Sequence, residues 1–212
     1  MEREQATTMI YASINTPAGL AVLRDLKPED VDEIVRFWYG SGDDFLDFLG
    51  IDRSRLGTTE DTRQRFIQAI RTGDANQPSV AFAIAVNGDY AGYTLLNRYT
   101  PDINYSHWHI TNPALRGLGL STALYPYRMK AYFDVVPMNR LIHQTRTRNV
   151  AVNKMLDHWL PVAETCYIER PDGVALPGEF HLRYVHRGDV SGFLEKARAQ
   201  AIGEQPEQHA RR

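Results

Sequence analysis

The apolar positions of this chain switch repeatedly between a two-residue and a three-to-four-residue period, as strands and helices packed in layers require. Residues 21–26 read as a first strand. Pro28, Glu29 and Asp30 then supply a helix start, with proline pre-set for the first turn and acids at the positive end of the dipole. Val31, Ile34, Val35 and Trp38 follow at helical spacing. Residues 40–57, rich in Gly and Asp, read as a loop before a second helix over 60–71. Val80, Phe82, Ile84 and Val86 alternate with Ala81, Ala83 and Ala85, and Asn87-Gly88 is a two-residue hairpin signal ahead of a strand over 90–97.

Residues 105–110 form another strand, and the Gly-containing stretch 116–121 leads into a helix with Leu120, Leu124, Tyr127 and Ala131 on one face. Pro126 is expected to kink that helix. A short strand over 141–145, a helix face of Val152, Met155, Leu156 and Trp159, and a strand pair over 162–168 and 180–186 complete the pattern. The connection 169–179 carries the turn formers Pro171, Asp172, Gly173, Pro177 and Gly178. The fold class is mixed α/β, one domain over 20–200, with 1–19 and 201–212 expected to be flexible tails.

Composition narrows the chemistry. With 24 Lys+Arg against 26 Asp+Glu, the chain lacks the basic excess of a nucleic-acid binder. Cys166 is the only cysteine, which excludes an internal disulfide and a multi-thiolate zinc site and points to a cytoplasmic, reducing compartment. The first twenty residues hold no continuous apolar core of the secretory kind, no run reaches membrane-spanning length, and no membrane partner is expected.

The most informative stretch is His107-Trp108-His109-Ile110-Thr111-Asn112-Pro113-Ala114-Leu115-Arg116-Gly117-Leu118-Gly119-Leu120-Ser121. A strand that breaks into a Gly-containing turn and then a helix aims several backbone N–H groups at one spot, where a phosphate can sit. Gly117 and Gly119 let a pyrophosphate approach the backbone, while Arg116 either pairs with phosphate or braces the loop. The bland reading is a tight turn. A dinucleotide fingerprint fits worse, because the loop follows the middle strands and lacks the third glycine.

This stretch resembles the coenzyme A loop of the GNAT (Gcn5-related N-acetyltransferase) superfamily, Arg/Gln-x-x-Gly-x-Gly/Ala, with Ser121 in the last place. Arg148-Asn149-Val150-Ala151-Val152-Asn153-Lys154-Met155-Leu156-Asp157 is similar to the Asn-containing helix that closes the other side of coenzyme A, nearest the RimJ/RimL-like branch. Leu160-Pro161 replaces that branch's Gly-Phe, and Leu156 stands where many members carry a proton-donating Tyr, so that role is not carried over. The resemblance implies a GNAT-like central mixed, mostly antiparallel sheet flanked by helices. It also implies acetyl-coenzyme A as co-substrate, no metal, an amine acceptor on a small molecule or peptide, and a ternary complex; it allows a homodimer. Arg116, Gly117, Leu118, Gly119, Leu120, Ser121 and Thr122 would hold the pyrophosphate, Trp108 and Ile110 would flank the pantetheine, and Asn149 and Asn153 would add polar contacts. A non-catalytic acyl-coenzyme A sensor and a thioester-processing enzyme of the same fold remain the alternatives.

An amine must lose a proton to become a nucleophile, and histidine suits that task. His107 and His109 lie two apart on one strand and so share a face with Tyr105, placing either as the base, with packing or metal binding as competing readings. Asp43, Asp44 and Asp47, without a basic residue until Arg53, are expected to attract a cationic acceptor, unless they are a solvated loop with caps. Glu179, as a catalytic candidate, and His181 are further acceptor-side expectations beside the long connection.

Overall fold

The computed structural model describes residues 8–203, and its chain opens with a hairpin. Strands β1 (Ile10–Thr16) and β2 (Gly19–Asp25) pair antiparallel with Thr16 opposite Gly19. This corrects the expected tail over residues 8–19, and the last helix likewise runs through 201–203; the remainder of the two expected tails, 1–7 and 204–212, lies outside the described residues. Ile10, Ala12 and Ile14 do alternate, but only Ala12 is buried, so the apolar stripe of this edge strand is too thin to announce itself.

Three helices follow: α1 (Pro28–Gly40), α2 (Asp43–Leu49) and α3 (Thr59–Ala69). Helix α2 occupies the segment expected to be loop. It buries a single side chain, Leu46, and Gly50 stops it in the left-handed region at φ 72°, so seven residues between glycines carry almost no periodic signal. The chain continues through β3 (Ser79–Val86), β4 (Asp89–Thr100), β5 (Ile103–Ile110), α4 (Leu120–Val135), β6 (Arg140–Arg146), α5 (Val150–Asp157), β7 (Glu164–Ile168), β8 (Gly178–His186) and α6 (Asp189–Gly203). Helix α4 continues through Pro126 to Val135.

The strands form one eight-stranded sheet in the order β1-β2-β3-β4-β5-β6-β8-β7, antiparallel at every junction except β5 with β6. In β3 the alternation sorts large from small rather than apolar from polar. Val80, Phe82, Ile84 and Val86 join the core beneath α4 and α6, whereas Ala81 and Ala83 face α1 and α3 and let those helices approach the sheet.

The parallel junction matters most. Strands β5 and β6 pair at Tyr105 with Ile142 alone, then diverge, so the rest of β5 has an edge without a strand partner and the sheet opens into a wedge. The connection between β7 and β8 closes one side of that opening, because Asp52 N–H donates to Val174 O at 2.7 Å and Leu176 N–H donates to Gly50 O at 2.8 Å. Among the described residues no helix is long and apolar enough to cross a membrane.

Candidate active site

A cavity of about 220 Å3 occupies the wedge. Its wall includes His107 and His109 from the α1 and α3 face of β5 together with Ser106 and Trp108 from the opposite face, which only the divergence of β5 from β6 permits. Trp108 is held by Arg128 of α4, whose guanidinium lies 4.1 Å from the ring centroid. Burial lowers the Arg128 pKa to about 10.

His107 meets Asp172 of the β7–β8 connection, with Nε2 2.5 Å from Oδ2. The Asp172 side chain is 2% exposed. It also accepts hydrogen bonds from Tyr99 OH at 2.6 Å and from Asn97 Nδ2 at 2.9 Å, both on β4. Burial alone would raise the carboxyl pKa, but the hydrogen bonds and the attraction of His107 outweigh it and hold the group below its ordinary value. An ionised Asp172 accepts a hydrogen bond from Nε2–H of His107, and in the neutral imidazole that tautomer has its lone pair on Nδ1. Asp172 was legible in the sequence only as a turn former; its partner lies 65 positions away.

His109 is placed differently. Its ring sits among Trp38, Tyr93 and Phe37, at 4.9, 5.3 and 5.6 Å between centroids. Burial, assisted by His107 and Arg116, lowers its pKa to about 3, so His109 is neutral and a poor proton acceptor. Gly92 lets the backbones of β4 and β5 approach here, since a Cβ there would collide with the His109 carbonyl.

The expected phosphate loop has the required backbone. Gly117 and Gly119 adopt φ 79° and 77°, and Gly119 caps α4 without a side-chain hydrogen bond, leaving the first-turn N–H groups available. A Cβ at either glycine would meet nothing within 4 Å, so the space above the loop is open. Arg116 braces the loop, its Nε donating to Ile110 O at 3.0 Å and Nη2 to Thr111 O at 3.2 Å, while its guanidinium lies over Phe45. Leu118 is exposed and Ser121 and Thr122 are half-buried, but Leu120 is buried and offers the loop only its backbone. Ile110 packs against the core beneath α4.

Other expected residues fall elsewhere. Asn149 lines the cavity and caps α5, accepting from Val152 N at 3.3 Å. Asn153 is buried with its amide filled: Oδ1 accepts from Thr145 and Arg183, and Nδ2 donates to the carbonyls of Arg146 and Thr147, so it ties β6 to α5 and has no group left for a cofactor. Glu179 and His181 alternate with Phe180, which lines the cavity, and so point away from it; His181 pairs with Thr165 instead. Asp43 and Asp47 bind Arg53, and neither they nor Asp44 line the cavity, because α2 turns its acidic face outward. Among the described residues no cluster of three His, Cys, Asp or Glu could hold a metal ion.

Solved structures of the same shape include acetyltransferases. Mycobacterium smegmatis RimJ in complex with CoA-disulfide superposes with a TM-score of 0.69 at 14% identity, covering 93% of this chain and 97% of that one. RimL, a ribosomal L7/L12 alpha-N-protein acetyltransferase, follows at 0.65 and 14%, covering 88% and 98%. The aminoglycoside acetyltransferase AAC(6')-Ib in complex with coenzyme A gives 0.60 at 12% identity, covering 81% and 98%. No family model and no curated protein sequence matches the chain. The likeness is one of fold, and the fold is that of the GNAT proteins, RimJ and RimL among them.

Proposed function

We propose that this chain transfers an acyl group, acetyl in the first instance, from coenzyme A to an amine of a small molecule or peptide by direct attack in a ternary complex. The observation that carries this reading is the cavity through the β5–β6 wedge, which joins Trp108 and Asn149, two of the residues expected to flank coenzyme A, to the His107–Asp172 pair. The backbone N–H groups of Gly117 to Thr122 would hold the pyrophosphate, with Arg116 bracing the loop. Trp108, Asn149 and the unpaired edge of β5 would flank the pantetheine. Bound there, acetyl-coenzyme A supplies an activated thioester.

His107 accepts the amine proton on Nδ1 as the nitrogen attacks the thioester carbonyl; the C–S bond breaks and the thiolate departs. Asp172 is a positioning residue, fixing the tautomer and the ring orientation. The gain over solution comes chiefly from holding amine and thioester at one opening, which proximity makes worth far more than the proton transfer. The test is release of coenzyme A thiol from acetyl-coenzyme A in the presence of a pooled amine library, with acetylated products identified by mass. Thiol release without any acetylated amine would contradict transfer and favour thioester hydrolysis.

A further inference from the structure

The walls of the cavity on the histidine side carry an unbalanced charge. Arg146 at the end of β6 and Arg65 on α3 both line it, and among the described residues neither is within ion-pair distance of a carboxylate. The one acid in the wall is Asp172, already engaged by His107, Tyr99 and Asn97. Arg146 donates Nη1 to Leu176 O at 2.8 Å, but its Nε is buried without a partner. Arg148 converges on the same place: Arg146 Cδ and Arg148 Nη2 lie 2.8 and 2.9 Å from the position a Cβ would take on Gly50, and among the described residues the side chain of Arg148 is bound only to the Asp47 carbonyl. Burial and then Arg148 push the Arg146 pKa down, as expected for like charges gathered without a counter-ion. Around them the wall is apolar, including Leu95, Phe66, Leu56 and Phe180.

A half-buried guanidinium with free donors beside a second one is costly unless an anion completes it. We infer that the acceptor is a small amine carrying an anionic group, a carboxylate or a phosphoryl group, received by Arg146 with Arg65 at the rim, with an apolar body against Phe180 and Leu56. This rests on the acyltransfer reading and reverses the cationic acceptor expected from Asp43, Asp44 and Asp47, whose charges Arg53 and solvent absorb.

Matched pairs of amines test it on the full chain with acetyl-coenzyme A: phenylalanine against phenethylamine, leucine against isoamylamine, and phosphoethanolamine against ethanolamine. The expected result is a kcat/KM at least ~10-fold higher for the anionic member of one pair, which also tells carboxylate from phosphoryl. Arg146→Gln should raise KM for that member by ~10–100-fold and leave its neutral partner unchanged, the usual worth of a charge-assisted hydrogen bond. Arg65→Gln, at an exposed position where folding is not at stake, should do the same to a smaller extent. Calorimetry of the N-acetylated products with coenzyme A present gives a readout that does not need turnover. Equal use or binding of both members of every pair, no binding by any of them, or an equal loss on both in Arg146→Gln, overturns the inference. Absence of any thermal shift with acetyl-coenzyme A would instead remove the acyltransfer reading beneath it.

Discussion

His107 and His109 are chemically identical and two residues apart, yet their surroundings give them opposite properties. His107 lies against a buried, ionised Asp172 and, as the neutral Nε2–H tautomer, has its lone pair on Nδ1. We expect His107→Gln to lower turnover by roughly 10²–10⁴-fold with acetyl-coenzyme A affinity retained, since the loop at α4 is untouched. Asp172→Asn should also lower turnover and change the pH profile, because a neutral amide no longer favours the Nε2–H tautomer; a structural role alone would leave that profile in place. His109 behaves as an aromatic ring. With a folded pKa near 3 against an ordinary 6.5, it binds its proton more weakly in the folded state than in the unfolded one. Its neutral form therefore contributes fully above the ordinary value, and stability falls as the pH drops from about 6.5 towards 3, by up to about 1.4 kcal/mol per unit. His109→Phe should flatten that limb in denaturant titrations at several pH values. An unchanged slope would mean that the ring reaches solvent.

At the scale of elements, the start of α4 should dominate cofactor binding. Acetyl-coenzyme A at a hundred times its dissociation constant should add about 2.7 kcal/mol of stability. Gly119→Val should abolish the shift measured against the variant's own ligand-free Tm, because it strains φ 77° and fills the open space above the loop. Asn153→Ala tests a different junction. It removes the acceptor shared by Thr145 and the buried Arg183 and the donor to two carbonyls, so unfolding should cost about 1–3 kcal/mol less. Elements with a strong period were legible in advance: the Asn87-Gly88 hairpin has both residues at positive φ, and the helices beginning at Pro28 and Leu120 lie where caps and glycines placed them. β1, α2 and α6 were not among the expected elements. The first is an edge strand with one buried side chain and the second is too short to show a period, whereas α6 does carry Val190, Phe193, Leu194 and Ala197 at helical spacing, a signal that the expectation of a domain ending near residue 200 left without an element.

Across the whole molecule, what could be read from sequence depended on whether a feature is local. The glycine loop and the histidine strand occupy a single stretch of chain, and their backbone consequences follow from adjacent residues. Asp172 reaches His107 only because the β7–β8 connection folds back over residues 50–52, and Arg146 comes to share a cavity wall with Arg65 only once the sheet and α3 enclose one cavity. Pairings of that kind carry no spacing signal. The same long-range closure explains why the acidic run misled: charge along the chain says nothing about which face α2 presents. The central claim is acyl transfer through the β5–β6 wedge with His107 as the base, and a stoichiometry measurement tests it most directly. Wild-type protein, acetyl-coenzyme A and a pooled amine library should yield one acetylated amine for each thiol released, with both products falling together by roughly 10²–10⁴-fold in His107→Gln. Full activity in that variant, or thiol released without acetylated amine, would contradict the account.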